Sequence, residues 1–325
     1  MSIMHALKKG LYEITPNIPA VLIVWLTNLI LALAVAWPVF GWLGRMDQMP
    51  AAEEMLRGFS LPLLFDLLRY DYSTVVRLLS NLIFWLVLCA LLISTFLSGG
   101  VLSVLANPGR GPFLEQFFAG ASRYFLRFFR LLLGAGLCAG TILLALNVAL
   151  GALVFRLSES AAELTSLLLV LGQGVLSAVI GTVFLLALHY ARIETVLEGT
   201  TGMAGAYLRS LVFVFRNILR AFALIIFFAG LMGMVHLLYM MVRSVLPTTT
   251  WLPILLLMAL QQVVVFVRSG FQVGLYGGEL ELYRLRRPKP PEREAVVVAP
   301  RSVEPAAPIS GSEPEQEGVA QTDTD

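Results

Sequence analysis

Six stretches of this chain are longer and more apolar than a water-soluble domain can use. They run at about 18–40, 76–97, 131–155, 164–189, 221–241 and 252–271. Each has the roughly 20 apolar residues that a helix needs to cross the hydrocarbon core of a bilayer. In lipid, every backbone N–H and C=O must be satisfied within the segment, so such runs fold as helices. Composition agrees: 58% of the residues are hydrophobic and 14% charged, where a soluble domain carries about a quarter charged residues. The expected fold class is all-α: a polytopic membrane protein with six transmembrane helices in three hairpins. The first run is too long for the apolar region of a cleavable signal, although Ala34-Val35-Ala36 mimics a cleavage site, and it reads as the first span.

Lysine and arginine placement sets the orientation. Before the first span, between the second and third, between the fourth and fifth, and after the sixth lie sixteen basic residues; six lie on the other side. With Arg268 inside the last span they make up the 23 Lys and Arg of the chain. Both termini are expected on the cytoplasmic side of a cell inner membrane. Residues 1–287 form the expected six-helix transmembrane domain. Its long outer loop, 44–74, holds "AAEEMLRGF" and "LPLLFDLLRY", which read as short amphipathic helices lying at the interface. Residues 288–325 are rich in Pro, Glu, Ser and Ala and lack aromatics. They cannot bury enough surface to fold and read as a disordered cytoplasmic tail.

A weak internal repeat runs through the hairpins. The second span ends in "LSGGVLSVL", the sixth in "LYGGELELY" and the fourth in "HYARIETVL", where Ala191 and Arg192 stand in the glycine places. After two of these endings come "RYFLRFFR" (123–130) and "RSLVFVFR" (209–216), with Arg, Phe and Arg at the same spacing. "NPGRGP" marks a turn before the first of them, and "GTTGMAG" reads as a turn before a helix capped by Thr200 or Thr201.

No catalytic or cofactor motif stands out: there is no HExxH, GxSxG or Walker signature. Cofactors are expected to be none, metal ligands none, and no spacing suggests nucleic-acid binding. None of the six apolar cores holds Asp or Glu, the usual mark of a proton- or ion-coupled path. Cys89 and Cys138 read as small core residues. Gly136/Gly140, Ser177/Gly181 and Ala229/Gly233 are small-xxx-small steps of the kind that lets helices approach closely in lipid.

Two groups of polar residues carry the functional expectations. The first is basic. Arg123, Arg127 and Arg130 share one helix face, as do Arg209, Arg216 and Arg220. Such faces anchor a membrane helix or attract anionic headgroups, and arginine fits phosphate in two-point contacts. Arg192 and Arg268 belong to this group of headgroup candidates, and Glu194 is the expected ion-pair partner of Arg268. The second group is the amides within spans: Asn28, Asn81, Asn147, Gln173 and Gln261. These either hydrogen-bond between helices or line a polar path at the midplane.

The stretch "LHYARIETVLEG" followed by "MAGAYLRSLVFVFRN" resembles a loose family of uncharacterised bacterial six-helix membrane proteins. The likeness rests on Tyr190-Ala191-Arg192, Glu194, Ala206, Ser210 and Phe215-Arg216-Asn217. That family is similar in layout to the membrane domain fused to some glycerophosphodiester phosphodiesterases. The resemblance implies the six-helix fold but no activity and no catalytic residues, and the soluble phosphodiesterase domain is not present here. The first functional expectation is a non-catalytic scaffold or lipid-handling component working through the arginine cluster. The second is a transporter or permease subunit with an amide-lined path, and the third is a membrane enzyme acting on phospholipid. Expected partners are membrane phospholipids, with other membrane proteins or a second copy of the chain open.

Overall fold

The computed structural model describes residues 3–43, 72–109, 111–158, 163–200, 202–246 and 250–286. The two amphipathic stretches of the outer loop and the Pro/Glu-rich tail lie outside the described residues. Every regular element described is a helix: α1 (Ile3–Ile14), α2 (Ile18–Leu43), α3 (Tyr72–Ala106), α4 (Phe113–Ser158), α5 (Glu163–Glu198), α6 (Met203–Arg216), α7 (Ile218–Val245) and α8 (Trp251–Arg286). Six of them (α2, α3, α4, α5, α7 and α8) are long and apolar enough to cross a membrane. The chain is a multi-pass membrane protein.

The helices outrun the apolar stretches. α4 has 46 residues, about 69 Å at 1.5 Å per residue, more than twice the roughly 30 Å of a hydrocarbon core. "RYFLRFFR" therefore lies inside one unbroken helix that begins ten residues before it. α3, α5 and α8, with 35, 36 and 36 residues, each continue past their apolar run toward the end of the molecule that carries most of the arginines. This is the basic end.

The core sits in these extensions. In α4 the buried side chains are Phe117, Ala121, Tyr124, Phe128, Leu131 and Ala135, with Gly120 buried beside Ala121. Their steps of four and three keep them on one helix face, and the arginines of "RYFLRFFR" fall between them. In α5 every residue from Tyr190 to Val196 is buried, so this end of α5 is enclosed on all sides. α3 contributes Val101, Leu102 and Leu105, and α8 contributes Val273, Tyr276, Leu280 and Tyr283.

The expected repeat gains a third member that the sequence pattern alone did not reveal. α1 and α6 are both short helices lying just before a span, and Asn17 and Asn217 occupy the two junctions, 200 residues apart. Each side-chain amide donates to the carbonyl four residues earlier, Glu13 at 2.8 Å and Phe213 at 3.1 Å. Each backbone carbonyl accepts from the amides three and four residues ahead. The N-terminal part of α4 takes the same place without a break. Each short segment rests on a return helix: α4 on α3, α6 on α5, and α1 on α8. The first hairpin differs in that α2 packs more on α8 than on its own return helix α3.

Close approach at these contacts depends on missing side chains. A Cβ on Gly10 would stand 2.6 Å from the Gly274 carbonyl oxygen, and one on Gly120 would overlap Ser103. The expected small-residue steps do not provide this closeness. Gly136, Gly140 and Gly233 have nothing within 4 Å of where a Cβ would be, because the helix faces that carry them have no neighbour. Cys89 and Cys138 are likewise exposed rather than core. Ser177 contributes instead through a hydrogen bond, described below. At the turn before α6, Gly202 is the N-cap and no side chain among the described residues caps it, while Thr201 lies outside the described residues.

Candidate functional site

Where the return helices meet, the core contains charge. Arg192, Glu194 and Glu279 are respectively 5%, 2% and 0% exposed. A buried charge is costly unless it is paired and hydrogen-bonded, so their partners define the site.

Glu194 on α5 is matched from α6. The Arg209 Nε donates to its Oε1 at 2.7 Å, Arg209 Nη2 lies 2.5 Å from the same oxygen, and the Ser210 hydroxyl donates to Oε2 at 3.3 Å. The hydrogen bond and charge of Glu194 raise the Arg209 guanidinium above its ordinary range. Glu194 thus pairs as expected, but with Arg209 rather than Arg268. Arg268 is exposed, next to Ser269 and Gly270, and a Cβ on Gly270 would touch Ile14 and Val21. That sets Arg268 at the level of the α1–α2 junction, with its side chain on the outer surface.

Glu279 on α8 is matched from α5: His189 Nδ1 lies 3.1 Å from both carboxylate oxygens. The His189 ring lies over Tyr276 at 5.4 Å between centroids. Tyr283 donates to Glu198 at 3.2 Å, and its ring neighbours Phe213 and Tyr190. At the rim, Lys9 pairs with Glu13 at 2.8 Å and His5 approaches Glu281 at 3.4 Å. The Glu13 hydrogen bond raises Lys9 above its usual value. Arg284 closes α8 onto α3 by donating to the Ala106 carbonyl at 2.9 Å.

Arg192 is different. No carboxylate among the described residues lies within 4.0 Å of it. Its guanidinium sits 5.7 Å over the Phe128 ring and beside the Tyr276 phenol, and its Nε is buried without a hydrogen-bond partner. The Tyr190 and Tyr207 hydroxyls are also buried and unpartnered, and burial pushes the Tyr207 phenol up.

The other arginines point outward. Arg123, Arg130, Arg209, Arg216 and Arg220 are exposed and Arg127 is partly buried. Apart from Arg209 none has a carboxylate partner within 4.0 Å among the described residues. Arg123 leans on the Tyr124 ring and Arg220 donates to the Asn217 side chain at 3.3 Å. Large apolar residues are exposed among them: Leu126 on α4, Leu208, Val212 and Phe215 on α6, and Leu219 at the start of α7. Both stripes lie largely on the outer surface.

The amides do not assemble into one path. Asn28, Asn81 and Gln261 are exposed, each on the outside of its helix. Asn147 and Gln173 do meet: the Gln173 amide donates to the Asn147 carbonyl at 3.2 Å, and Ser177 donates to the Asn147 side-chain oxygen at 2.8 Å. This ties α4 to α5 by interhelical hydrogen bonds, the structural use of such groups.

Sequence reasoning passed over Glu279 and Tyr276; His189 was the one histidine it set near the charged cluster, as a satisfied interfacial residue. The available signal was "LYGGELELY", where two glycines allow close packing and the next residue is a carboxylate. Reading the glycine pair as a helix end hid it. No family model, no curated protein and no solved structure matches the chain.

Proposed function

We propose that this protein is a non-catalytic membrane component that engages anionic phospholipid headgroups at its basic end, with that end facing the cytoplasm. The observation that carries the reading is the surface of α4 and α6. Exposed arginines alternate there with exposed leucine, valine and phenylalanine. A helix with this outer face settles at the boundary of headgroups and acyl chains, apolar side chains dipping in and cations meeting phosphate. Each such charge contributes about 1 kcal/mol near an anionic surface. The acidic groups of this end do not cancel the field. Glu13 and Glu194 are paired with Lys9 and Arg209, Glu279 and Glu281 meet histidines, and the carboxylates of this end, Glu115 and Glu198 included, are outnumbered by its lysines and arginines, which leaves Arg123, Arg130, Arg216 and Arg220 to face outward. The resemblance to bacterial six-helix membrane proteins is compatible with a cell inner membrane.

Lipid co-purification tests this. Wild type, Arg127→Ala and Arg216→Ala are purified in mild detergent and the retained phospholipids quantified by mass spectrometry. The expected result is a loss of anionic lipid in both variants, larger for the more exposed Arg216. Equal retention in all three would sink the reading. Orientation has its own check: a reporter fused after Arg286 that is active only outside the cytoplasm should stay silent.

A further inference from the structure

We propose that Arg192 holds one phosphate-bearing anion per chain in a site distinct from the arginine surface. This rests on the reading that the basic end handles anionic phosphate, and it names an inner residue for it.

The repeat shows how unusual the residue is. Its counterparts at the ends of α3 and α8 are Gly100 and Gly278. A Cβ on Gly100 would stand 2.8 Å from the Phe117 ring, and one on Gly278 would stand 3.0 Å from Leu224 and 3.2 Å from the Ala6 carbonyl oxygen. At two places in the repeat a neighbouring helix stands where a methyl group would go, overlapping it at Gly100 and crowding it at Gly278. At the third, helices α4, α5 and α8 accommodate the longest cationic side chain. Packing does not call for that.

Charge accounting leaves Arg192 open. Buried guanidinium groups are ordinarily matched by carboxylates. The two buried carboxylates nearby are committed elsewhere, Glu194 to Arg209 and Ser210, and Glu279 to His189. What remains around Arg192 is the face of Phe128, the Tyr276 hydroxyl and a buried Nε with no partner. A phosphate oxygen supplies the missing acceptor and the missing charge together. The planar guanidinium fork fits two of its oxygens, and the Tyr276 hydroxyl is a further donor. His189 packs against the Tyr276 ring, Glu279 fixes His189, and Gln272 lies beside the Tyr276 hydroxyl.

A phosphodiester headgroup and free phosphate share this chemistry, and the test separates them. The full-length protein is washed extensively in neutral detergent, and bound phosphorus per chain is measured for wild type, Arg192→Met, Tyr276→Phe and the surface variant Arg123→Gln/Arg130→Gln/Arg216→Gln/Arg220→Gln. Thermal melts follow with phosphatidylglycerol in mixed micelles and, separately, with inorganic phosphate. Wild type and the surface variant should retain one phosphorus per chain and melt higher with one of the two probes. Whichever probe stabilises identifies the source. Arg192→Met should lose the phosphorus and the stabilisation, and Tyr276→Phe should weaken the stabilising probe by severalfold. If Arg192→Met does not fold, Arg192→Lys replaces it and should bind the same probe about tenfold more weakly, since an ammonium cannot make the bidentate contact. Phosphorus unchanged in Arg192→Met, or Arg192→Lys binding as tightly as wild type, overturns the site and leaves the surface reading standing. So does a wild type with no bound phosphorus and no response to either probe. The surface reading fails separately, if lipid retention does not respond to the exposed arginines while the single phosphorus persists.

Discussion

The basic end and the remainder of the spans are built from similar residues and behave differently. At the basic end, Gly10, Gly99, Gly100, Gly120, Gly274 and Gly278 all lie against a neighbouring helix. Farther along the spans, Gly136, Gly140, Gly172, Gly174, Gly230 and Gly233 face open space. The same holds for polar groups: Glu194, Thr195, Ser210 and Glu279 are buried at one end, while Asn28, Asn81 and Gln261 lie on the outside beyond it. Large apolar residues such as Leu137, Leu144 and Val245 are 71%, 67% and 82% exposed. In lipid no hydrophobic force draws such faces together, so helices hold each other through small residues and hydrogen bonds. Glycine is a contact residue only where a second helix is present to use it.

That contrast can be broken by matched substitutions. The largest effect is expected from Gly120→Ala, whose methyl would overlap Ser103 and force α4 off α3. Overpacking of this kind costs about 3 kcal/mol. Gly140→Ala meets nothing and should change stability little or raise it, since alanine favours helix by up to about 1 kcal/mol. Thermal unfolding in one detergent compares them; equal losses would dissolve the distinction.

Next comes Arg209→Ala, which strands the Glu194 carboxylate in the core. A loss of about 2 kcal/mol is expected, below the figure for a fully buried pair because Arg209 itself is more than half exposed. Adding Glu194→Leu to it should restore most of that loss. A double variant no better than the single one would mean that Glu194 does not depend on Arg209.

The smallest effect belongs to Asn147→Leu. It removes the Ser177 hydrogen bond to the Asn147 side chain and leaves the Gln173 bond to the residue's backbone carbonyl, and such bonds in membranes are worth about 0.6 kcal/mol each. A loss as large as that of Arg209→Ala would show that the spans beyond the basic end are also held by polar contacts.

Much of this was legible in the sequence, and the failures have physical causes. The six spans and the arginine bias follow from transfer of side chains into lipid, which is local and additive. The extent of the helices does not. Hydropathy falls at Ser98 and at Gln272, but the backbone continues as helix because other helices, not lipid, cover the next turns. That is why Glu194 and Glu279 lie in the core without lying in an apolar run. The Arg268–Glu194 pair failed because depth was judged along α8 alone, whereas α6 lies directly on α5 and presents Arg209. The short helix α1 was passed over because two lysines and a glutamate mask its inward stripe of Ala6 and Gly10. Its likeness to α6 shows only when Asn17 and Asn217 are set side by side.

If the basic end is where this protein meets anionic lipid, the lipids around it should say so. Nanodiscs of mixed phosphatidylcholine and phosphatidylglycerol allow the anionic share of the lipids retained around the protein to be measured. Two variants are compared with wild type: Arg123→Gln/Arg130→Gln/Arg216→Gln/Arg220→Gln at the basic end, and Arg156→Gln/Arg243→Gln, both exposed at the opposite end. The first should lose most of the anionic excess and the second should keep it. An equal loss in both variants, or no anionic excess around wild type, would contradict a lipid-binding role for the basic end.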